Sequence, residues 1–188
     1  LDRDVPSEGR RTVTQSDSLQ FHLRKDLPPP RHILANLPYN IGTQLLINWL
    51  MQADGFLGFT LMFQQEVAER IVASRGTKSY GRLSVISQWL TEPRLMFDIP
   101  ASAFVPPPNG TSPVVNMPVR PQPLARAQRE KLEIVTRAAF VQRRKMLLRS
   151  LSAIGGAALL AEAGVPEEAR AEELTIDQFC AIARLLES

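Results

Sequence analysis

The chain has 188 residues, 44% of them hydrophobic, which is enough to build one globular domain with a core, or one domain and a small appendage. It contains no apolar run of about eighteen residues, which argues against a membrane span, and its single cysteine excludes an internal disulfide bond. The N-terminus lacks the basic and apolar regions of a signal peptide, so we expect a cytoplasmic protein.

Charge is unevenly distributed along the chain. The formal net charge is +3, but residues 120–150 carry nine Lys and Arg against two Glu, whereas residues 151–188 carry two Arg against seven acidic residues. Such asymmetry favours a surface that faces a polyanion, and RNA is the partner we consider. A helix with a basic face toward solvent would produce the same composition, so charge alone does not decide between them.

Short apolar segments alternate with helical patterns over the first two thirds of the chain. The patterns predict strands at 12–15, 32–37, 59–63, 94–99 and 114–119, and helices at 43–51, 65–73 and 83–90. We expect the strand at 32–37 to be buried. Strands that alternate with helices indicate βαβ units and a largely parallel sheet.

The pattern changes after residues 121–123. Residues 124–151 are predicted to be helical, a second helix follows the glycine pair at 155–156, and a capping box at Thr175 opens a last helix that ends at Leu186. We therefore place a domain boundary near residue 122, with an α/β domain at 1–122 and a small all-helical domain at 123–188.

Three polar or aromatic loops follow predicted strands or precede them. Asp17 follows the first strand, residues 36–39 follow the second, and Phe104 precedes the last. Ligands of open α/β sheets bind at the carboxyl ends of the strands. An amide acceptor and aromatic faces suit a purine with an exocyclic amine. Taken singly, each of these residues is better explained by a turn or a hydrophobic plug; taken together, they favour a base-binding cleft.

Other chemistries lack the residues that they need. Two histidines and one cysteine are too few for a structural zinc site, and no metal site is expected. Cys180 lies in an apolar helical pattern and is predicted to be a buried small hydrophobe. The chain has no G-x-G sequence, so it carries no phosphate-binding or dinucleotide-binding fingerprint.

Six segments, in order along nearly the whole chain, resemble motifs of the ribosomal RNA adenine dimethyltransferases of the KsgA/RsmA type. They are N-L-P-Y-N at 36–40, M-F-Q-Q-E-V-A-E-R at 62–70, T-K-S-Y-G-R-L-S-V at 77–85, F-V-P-P-P at 104–108, F-V-Q-R-R-K-M-L at 140–147 and R-A-E-E-L at 170–174. The resemblance implies a Rossmann-like class I methyltransferase sheet followed by a helical rRNA-binding domain. It also implies transfer of methyl groups from S-adenosylmethionine to two adjacent adenines near the 3′ end of small-subunit rRNA.

The resemblance assigns the acceptor site to the two aromatic loops. Asn36 would accept one N–H of the target amine through its side-chain oxygen, and the carbonyl of Leu37 would accept the other. Pro38 completes the motif, Tyr39 would stack on the flipped adenine, and Phe104 would close the other face of the base. The amine loses its proton after transfer, so no strong base is required.

The resemblance also assigns cofactor and RNA contacts. Leu1, Asp17 and Ser18 would bind S-adenosylmethionine together with Asn36. The cluster Arg143, Arg144 and Lys145 would bind RNA, although Arg143 and Arg144 could instead pair with acidic residues of the next segment. The implied partner is small-subunit rRNA or a precursor of the small ribosomal subunit, and we expect a monomer.

The chain departs from the family pattern at two places. The family's G-x-G-x-G loop is absent, and the glutamate that binds the cofactor ribose would directly precede Leu1, so the first strand and the glycine loop of the fold are missing. Asn109 and Gly110 stand where the family usually has Lys-Val, which removes one expected RNA contact and loosens the loop that positions Phe104.

Two alternatives to a small-subunit enzyme remain. One is a non-catalytic RNA-binding or ribosome-assembly module that keeps the base pocket but lacks the donor-binding glycine loop. The other is a macrolide-resistance methyltransferase that acts on large-subunit rRNA. The segments at 77–85 and 170–174 resemble the small-subunit branch and argue against the latter.

Overall fold

A computed structural model of the protein describes residues 29–38, 40–143 and 145–186. In this part of the chain a four-stranded sheet is formed by β1 (Arg31–Asn36), β2 (Phe56–Met62), β3 (Arg94–Ile99) and β4 (Ser112–Pro118). The strand order is β1-β2-β4-β3, with β1 parallel to β2 and β4 antiparallel to both of its neighbours.

The prediction of a largely parallel sheet is therefore wrong for the described strands. A parallel pair needs a crossover connection, and helix α1 (Gly42–Leu50) provides one between β1 and β2. Between β3 and β4 the chain has only a loop with one short 3₁₀ turn at Ala101–Ala103. Without a crossover helix, β4 returns beside β3 in the antiparallel direction and lies between β3 and β2.

Six further helices are described. They are α2 (Gln65–Val72), α3 (Arg82–Leu90), α4 (Arg129–Val141), α5 (Leu147–Ser150), α6 (Gly156–Glu162) and α7 (Ile176–Leu185). These bounds confirm the predicted helices and strands to within a few residues, except between 124 and 151. The predicted strand at 12–15 lies outside the described residues.

The long helix predicted at 124–151 is interrupted after Val141. Gln142 leaves the helical region, with φ −118° and ψ 55°, and its carbonyl accepts the backbone N–H of Lys145 at 2.8 Å in a turn. The backbone N–H of Leu147 then donates to the carbonyl of Ala169, also at 2.8 Å. Leu147 thus donates to a carbonyl more than twenty residues ahead, whereas in a continuous helix it would donate to the carbonyl four residues before it.

The predicted capping box at the start of α7 is confirmed. The hydroxyl of Thr175 accepts the backbone N–H of Gln178 at 3.1 Å, and Oε1 of Gln178 accepts the backbone N–H of Thr175 at 2.9 Å. Both exchanges satisfy N–H groups that a helix start leaves without an intrahelical partner.

One face of the sheet forms the core. Phe59 pairs with Ile33 in β1 and with Met117 in β4, and Leu61 and its neighbours repeat this alignment, which places apolar side chains on one face. Phe59 and Leu61 are fully buried there, whereas Leu34 on the opposite face of β1 is 79% exposed. The core-facing residues of β1 are only partly buried, so the prediction that the strand at 32–37 is buried holds only for Leu37 at its end.

A single hydrophobic core continues across residue 122 through α3. Tyr80, just before α3, contacts Phe140 edge to face with ring centroids 6.2 Å apart, and Phe140 lies 5.6 Å from Phe179 in α7. The indole N–H of Trp89 donates to the carbonyl of Ala125 at 2.7 Å. The sheet region and the helical region therefore stabilise each other.

Cys180 is completely buried in α7, as predicted for a small hydrophobic residue. Burial raises the pKa of its thiol to about 12, so the thiol is neutral and a poor nucleophile at physiological pH. Among the described residues, no helix has the length and apolar character that crossing a membrane requires.

Tyr80 allows a test of the contact between the two regions. Its ring is 2% exposed and its hydroxyl donates to the carbonyl of Leu174 at 3.2 Å. We expect Tyr80→Ala to lower the free energy of unfolding by about 3–5 kcal/mol, as for other buried aromatic truncations. Tyr80→Phe keeps the ring and should cost only about 1 kcal/mol. Urea unfolding of the three proteins measures both values, and equal losses would contradict the account.

Comparison of the wild-type protein with Tyr80→Phe also gives a prediction for the pH dependence of stability. Burial raises the pKa of Tyr80 from 10.0 to about 12, so the unfolded state ionises first as the pH rises. Stability from this group is therefore complete below pH 10 and is lost as the pH approaches 12. The wild-type protein should lose more stability than Tyr80→Phe over this interval.

Candidate functional site

A cavity of about 350 Å³ lies at the carboxyl end of β1. It is formed by two segments that are almost seventy residues apart, as the sequence predicts. The lining residues are Asn36, Leu37, Pro38, Phe104, Val105, Pro106 and Pro108. Its volume falls within the range of small-molecule sites.

A buried anchor positions Asn36 at this cavity. Leu37, the next residue, is 5% exposed and belongs to the core, whereas Asn36 is exposed at the end of the strand. The carbonyl of Pro38 accepts the backbone N–H of Gly42 at 2.8 Å, which turns the chain directly into α1. A Cβ on Gly42 would lie 3.3 Å from Cβ of Leu37, so glycine allows this close approach.

The second wall of the cavity is the segment 104–108. Phe104 ends the 3₁₀ turn, where its backbone N–H donates to the carbonyl of Ala101 at 3.2 Å, and its ring is partly buried. Val105 is fully exposed, and three prolines follow it. Because proline has a fixed φ, this segment is stiff and holds the Phe104 ring against the cavity.

The seven described lining residues carry no titratable side chain. They offer hydrogen-bond acceptors at Asn36 and in the backbone, and an aromatic face at Phe104. This set can hold a planar base that donates N–H groups, and it can align that base by acceptance and stacking. It contains no group that could act as a general acid or base.

A second cavity, of about 340 Å³, lies between α1, the loop before α3 and the helical region. Three arginines line it, Arg70, Arg82 and Arg143. Arg82 forms an ion pair of 2.6 Å with Glu133 of α4, and Arg70 pairs with Glu66 on the surface of α2. Arg70 and Arg82 were not among the predicted site residues, because a charge on a short helix usually marks a solvent-exposed face.

The residues of the predicted RNA-binding cluster have different surroundings. Nη2 of Arg143 donates to the carbonyl of Thr77 at 3.0 Å, and its Nε lies 3.7 Å from Oε2 of Glu172. The pairing with the next acidic segment that the sequence left open is thus present for Arg143. Lys145 is exposed, and Arg144 lies outside the described residues.

Other cations of the basic segment also have partners within the chain. Arg129 pairs with Asp54 through both of its terminal nitrogens, and Arg120 pairs with Glu92 at 2.9 Å. The local excess of positive charge between 120 and 150 is therefore partly neutralised by acids from the sheet region. Fewer cations remain for a polyanion than composition suggests.

Several predicted site residues cannot be placed. Leu1, Asp17, Ser18 and Tyr39 lie outside the described residues, so the predicted cofactor site is represented by Asn36 alone. In the described ranges, no group of three or more His, Cys, Asp or Glu side chains could hold a metal ion.

Residues 1–188 match the family model described as ribosomal RNA adenine dimethylase. The chain belongs to this family. It is 51% identical over 181 residues to ribosomal RNA small subunit methyltransferase A of Rhodospirillum rubrum, covering 96% of this chain and 63% of that relative. The corresponding protein of Paramagnetospirillum magneticum is 49% identical, with 96% of this chain and 64% of the relative covered. The chain thus spans less than two thirds of the length of these relatives.

Two solved structures have the same fold as this chain. A dimethyladenosine transferase from Plasmodium falciparum matches with a TM-score of 0.70 and 21% identity, over 90% of this chain and 70% of that one. The 23S rRNA methyltransferase ErmE matches with a TM-score of 0.62 and 22% identity, over 94% and 72%. The predicted family and the predicted class I methyltransferase fold are both confirmed.

Gly110 distinguishes this chain from the usual family pattern at the base of the Phe104 loop. Its φ is +97°, a conformation that residues with a side chain rarely adopt, and a Cβ added at this position would meet no neighbour within 4 Å. We expect Gly110→Val to destabilise the protein by about 1–3 kcal/mol through backbone strain. Asn109→Lys, which restores the other family residue at an exposed position, should leave the melting temperature unchanged. Equal melting temperatures for wild type and Gly110→Val would show that the loop adapts without strain.

Proposed function

We propose that this chain is the acceptor-binding and RNA-binding part of an rRNA adenine N6-dimethyltransferase. Its substrate would be two adjacent adenines near the 3′ end of small-subunit rRNA. The observation that carries the proposal is the meeting of Asn36, Leu37 and Pro38 with Phe104 around one cavity, whose described lining residues carry no titratable side chain. Membership of the family and the names of the bacterial relatives support the reaction and the RNA.

The lining residues can orient an amine for methyl transfer. Oδ1 of Asn36 and the carbonyl of Leu37 would each accept one N–H of the target adenine, which favours a pyramidal nitrogen with its lone pair directed away from both acceptors. Phe104 would stack on one face of the base and Tyr39, by motif, on the other. Fixed orientation of this kind can supply a large share of the rate enhancement. The nitrogen loses its proton to solvent after transfer, which agrees with the absence of a base among the lining residues that the structure describes.

S-adenosylmethionine would supply an electrophilic methyl group on its sulfonium sulfur. Its predicted contacts are Leu1, Asp17, Ser18 and Asn36, of which Asn36 lies at the cavity. The exposed side chain of Asn36 at the end of β1 suits both roles, since a position at the strand end can contact the donor and the acceptor together. We expect a chain without a G-x-G-x-G loop to bind this donor weakly by itself.

The helical region would contact the RNA. Lys145 is exposed, and the remaining exposed cations of residues 120–150 add to the positive charge of this region. Such contacts fix register on the RNA and make affinity dependent on salt. With such a partner, we expect the protein to act in the cytoplasm, on the assembling small subunit.

The test joins this chain to a segment of a relative that lies outside the matched region. The segment of the Rhodospirillum rubrum protein that precedes the matched region is fused to Leu1, and the fusion is incubated with S-adenosylmethionine and small subunits that lack N6-dimethyladenine. Mass spectrometry of both rRNAs should show two dimethylated adenines near the 3′ end of the small-subunit rRNA. The whole R. rubrum protein serves as the positive control.

The alternatives predict different products. Methylation of large-subunit rRNA would indicate an enzyme of the macrolide-resistance type. Binding without methylation, under conditions in which the control is active, would support an assembly module and contradict the proposal.

Matched substitutions test the assigned roles in the same fusion. Phe104→Leu keeps an apolar side chain but removes the ring, and kcat/KM should fall about 5- to 150-fold, as expected for the loss of one stacked base contact. Phe104→Tyr should retain most activity. Asn36→Ala should cost about 100-fold or more, comparable to removal of one preorganised hydrogen-bonding group. Asn48→Ala on the surface of α1 is the control, and a similar loss there would refute a special role for Asn36.

A further inference from the structure

A cationic loop connects α2 to α3. We use this name for residues 75–81, which include Arg75 and Lys78 at exposed positions. The loop is fastened to the segment after α6 by two contacts: the backbone N–H of Gly76 donates to the carbonyl of Glu172 at 2.8 Å, and the hydroxyl of Tyr80 donates to the carbonyl of Leu174. Its cations are thereby held beside the helical region.

Arg143 makes a third contact with this loop. Its guanidinium donates to the carbonyl of Thr77 at 3.0 Å, and its Nε faces Glu172 at 3.7 Å. One side chain thus joins three segments: the end of α4, the cationic loop and the 3₁₀ turn Ala171–Glu173. A lysine could not reproduce this, because an ammonium is a single point and lacks the planar fork of arginine.

Glu172 depends on Arg143 for charge compensation. Oε2 of Glu172 is buried and, among the described residues, accepts no hydrogen bond, so its ion pair with Arg143 is its compensation in this part of the chain. The side chains of Arg143 and Glu172 are 35% and 23% exposed, so the pair is partly buried, and removal of either partner leaves the other charge less well compensated. The pair therefore constrains the position of Arg143 as much as that of Glu172.

We infer that Arg143 is a positioning residue rather than an RNA phosphate contact. It holds the cationic loop against the helical region, so that Arg75 and Lys78 join Lys145 in one surface that binds the RNA backbone. The inference rests on the proposed function for the RNA partner, but the contacts among Arg143, Thr77 and Glu172 stand independently of it. It reassigns one member of the Arg-Arg-Lys cluster and adds two cations from a distant segment.

The test compares salt dependence of binding to one RNA, an unmethylated transcript of the 3′-terminal hairpin of bacterial small-subunit rRNA. A phosphate contact contributes about 0.7–0.9 to the slope of log K against log salt concentration. We expect Lys78→Ala to remove about one such contribution. Arg143→Ala should remove the contributions of Arg75 and Lys78 together, and Lys78→Ala should add nothing in the Arg143→Ala background. Additive losses would overturn the inference.

Two further variants distinguish a positioning role of Arg143 from a phosphate contact, even if Arg143→Ala folds poorly. Arg143→Lys keeps the charge and would rescue a phosphate contact, whereas a positioning role predicts a loss similar to that of Arg143→Ala. Glu172→Gln removes a negative charge, which would leave RNA binding unchanged or strengthen it if Arg143 contacted phosphate. The positioning role predicts weaker binding instead. Glu168→Gln, at an exposed position of the same segment, is the matched control and should not weaken binding.

Thermal unfolding separates failure of this inference from failure of the proposed function. If the wild-type chain shows no salt-dependent RNA binding, the proposed RNA partner is wrong. Melting temperatures then test the contact between Arg143 and Glu172. Non-additive losses of melting temperature for Arg143→Ala and Glu172→Gln support the contact, and additive losses overturn it.

Discussion

Burial of α3 is the constraint on which the rest of the structure depends. Val85, Ile86 and Trp89 have no solvent exposure, because α3 packs against α1 and α2 of the sheet region and against α4 and α7 of the helical region. Seven of the nine residues of α3 are buried, and such a helix is stable only when other elements cover most of its surface. The sheet region alone or the helical region alone would leave part of α3 in water.

Polar side chains of α3 reinforce this arrangement by binding neighbouring backbone. Gln88 donates to the carbonyls of Ile71 and Ala73 at 3.0 and 2.9 Å, which fixes the end of α2, and Trp89 binds the segment that leads into α4. The cationic loop between α2 and α3 therefore has both of its ends fixed. Its contacts with Arg143 and Glu172 also fix the loop to the helical region. The cations of the loop and of the helical region can then contact RNA together.

Local patterns predicted most of the elements, and the failures have physical causes at long range. Periodicity alone located every described strand and most of the helices, and the capping box at Thr175 was identified from two residues. Strand direction was not predictable in this way, because it depends on which connections lack a crossover helix. The break after Val141 depends on a hydrogen bond from Leu147 to Ala169, and no local pattern reveals such a partner.

The candidate site shows the same division. Asn36 and Phe104 were predictable because each lies in a loop whose composition and position at a strand end are visible in the sequence, and family motifs connected the two. The contact of Arg143 with Thr77 was not predictable, because the two residues are 66 positions apart, whereas the sequence had left open a pairing of Arg143 with the acidic segment that contains Glu172. An arginine that contacts RNA at the surface and one that joins two segments of the chain look the same in the sequence.

The central claim is that the cavity between Asn36 and Phe104 holds an adenine through its amine. The most direct measurement is NMR of the ¹⁵N-labelled chain titrated with a short RNA that contains two adjacent adenines, and with the same RNA in which inosine replaces both. Inosine has a carbonyl in place of the amine, so it offers no N–H at that position to the acceptors. The account predicts shifts of the Asn36 side-chain amide and the Phe104 backbone amide with the adenine RNA and much smaller shifts with the inosine RNA. Equal shifts with both RNAs, or shifts confined to other residues, would contradict it.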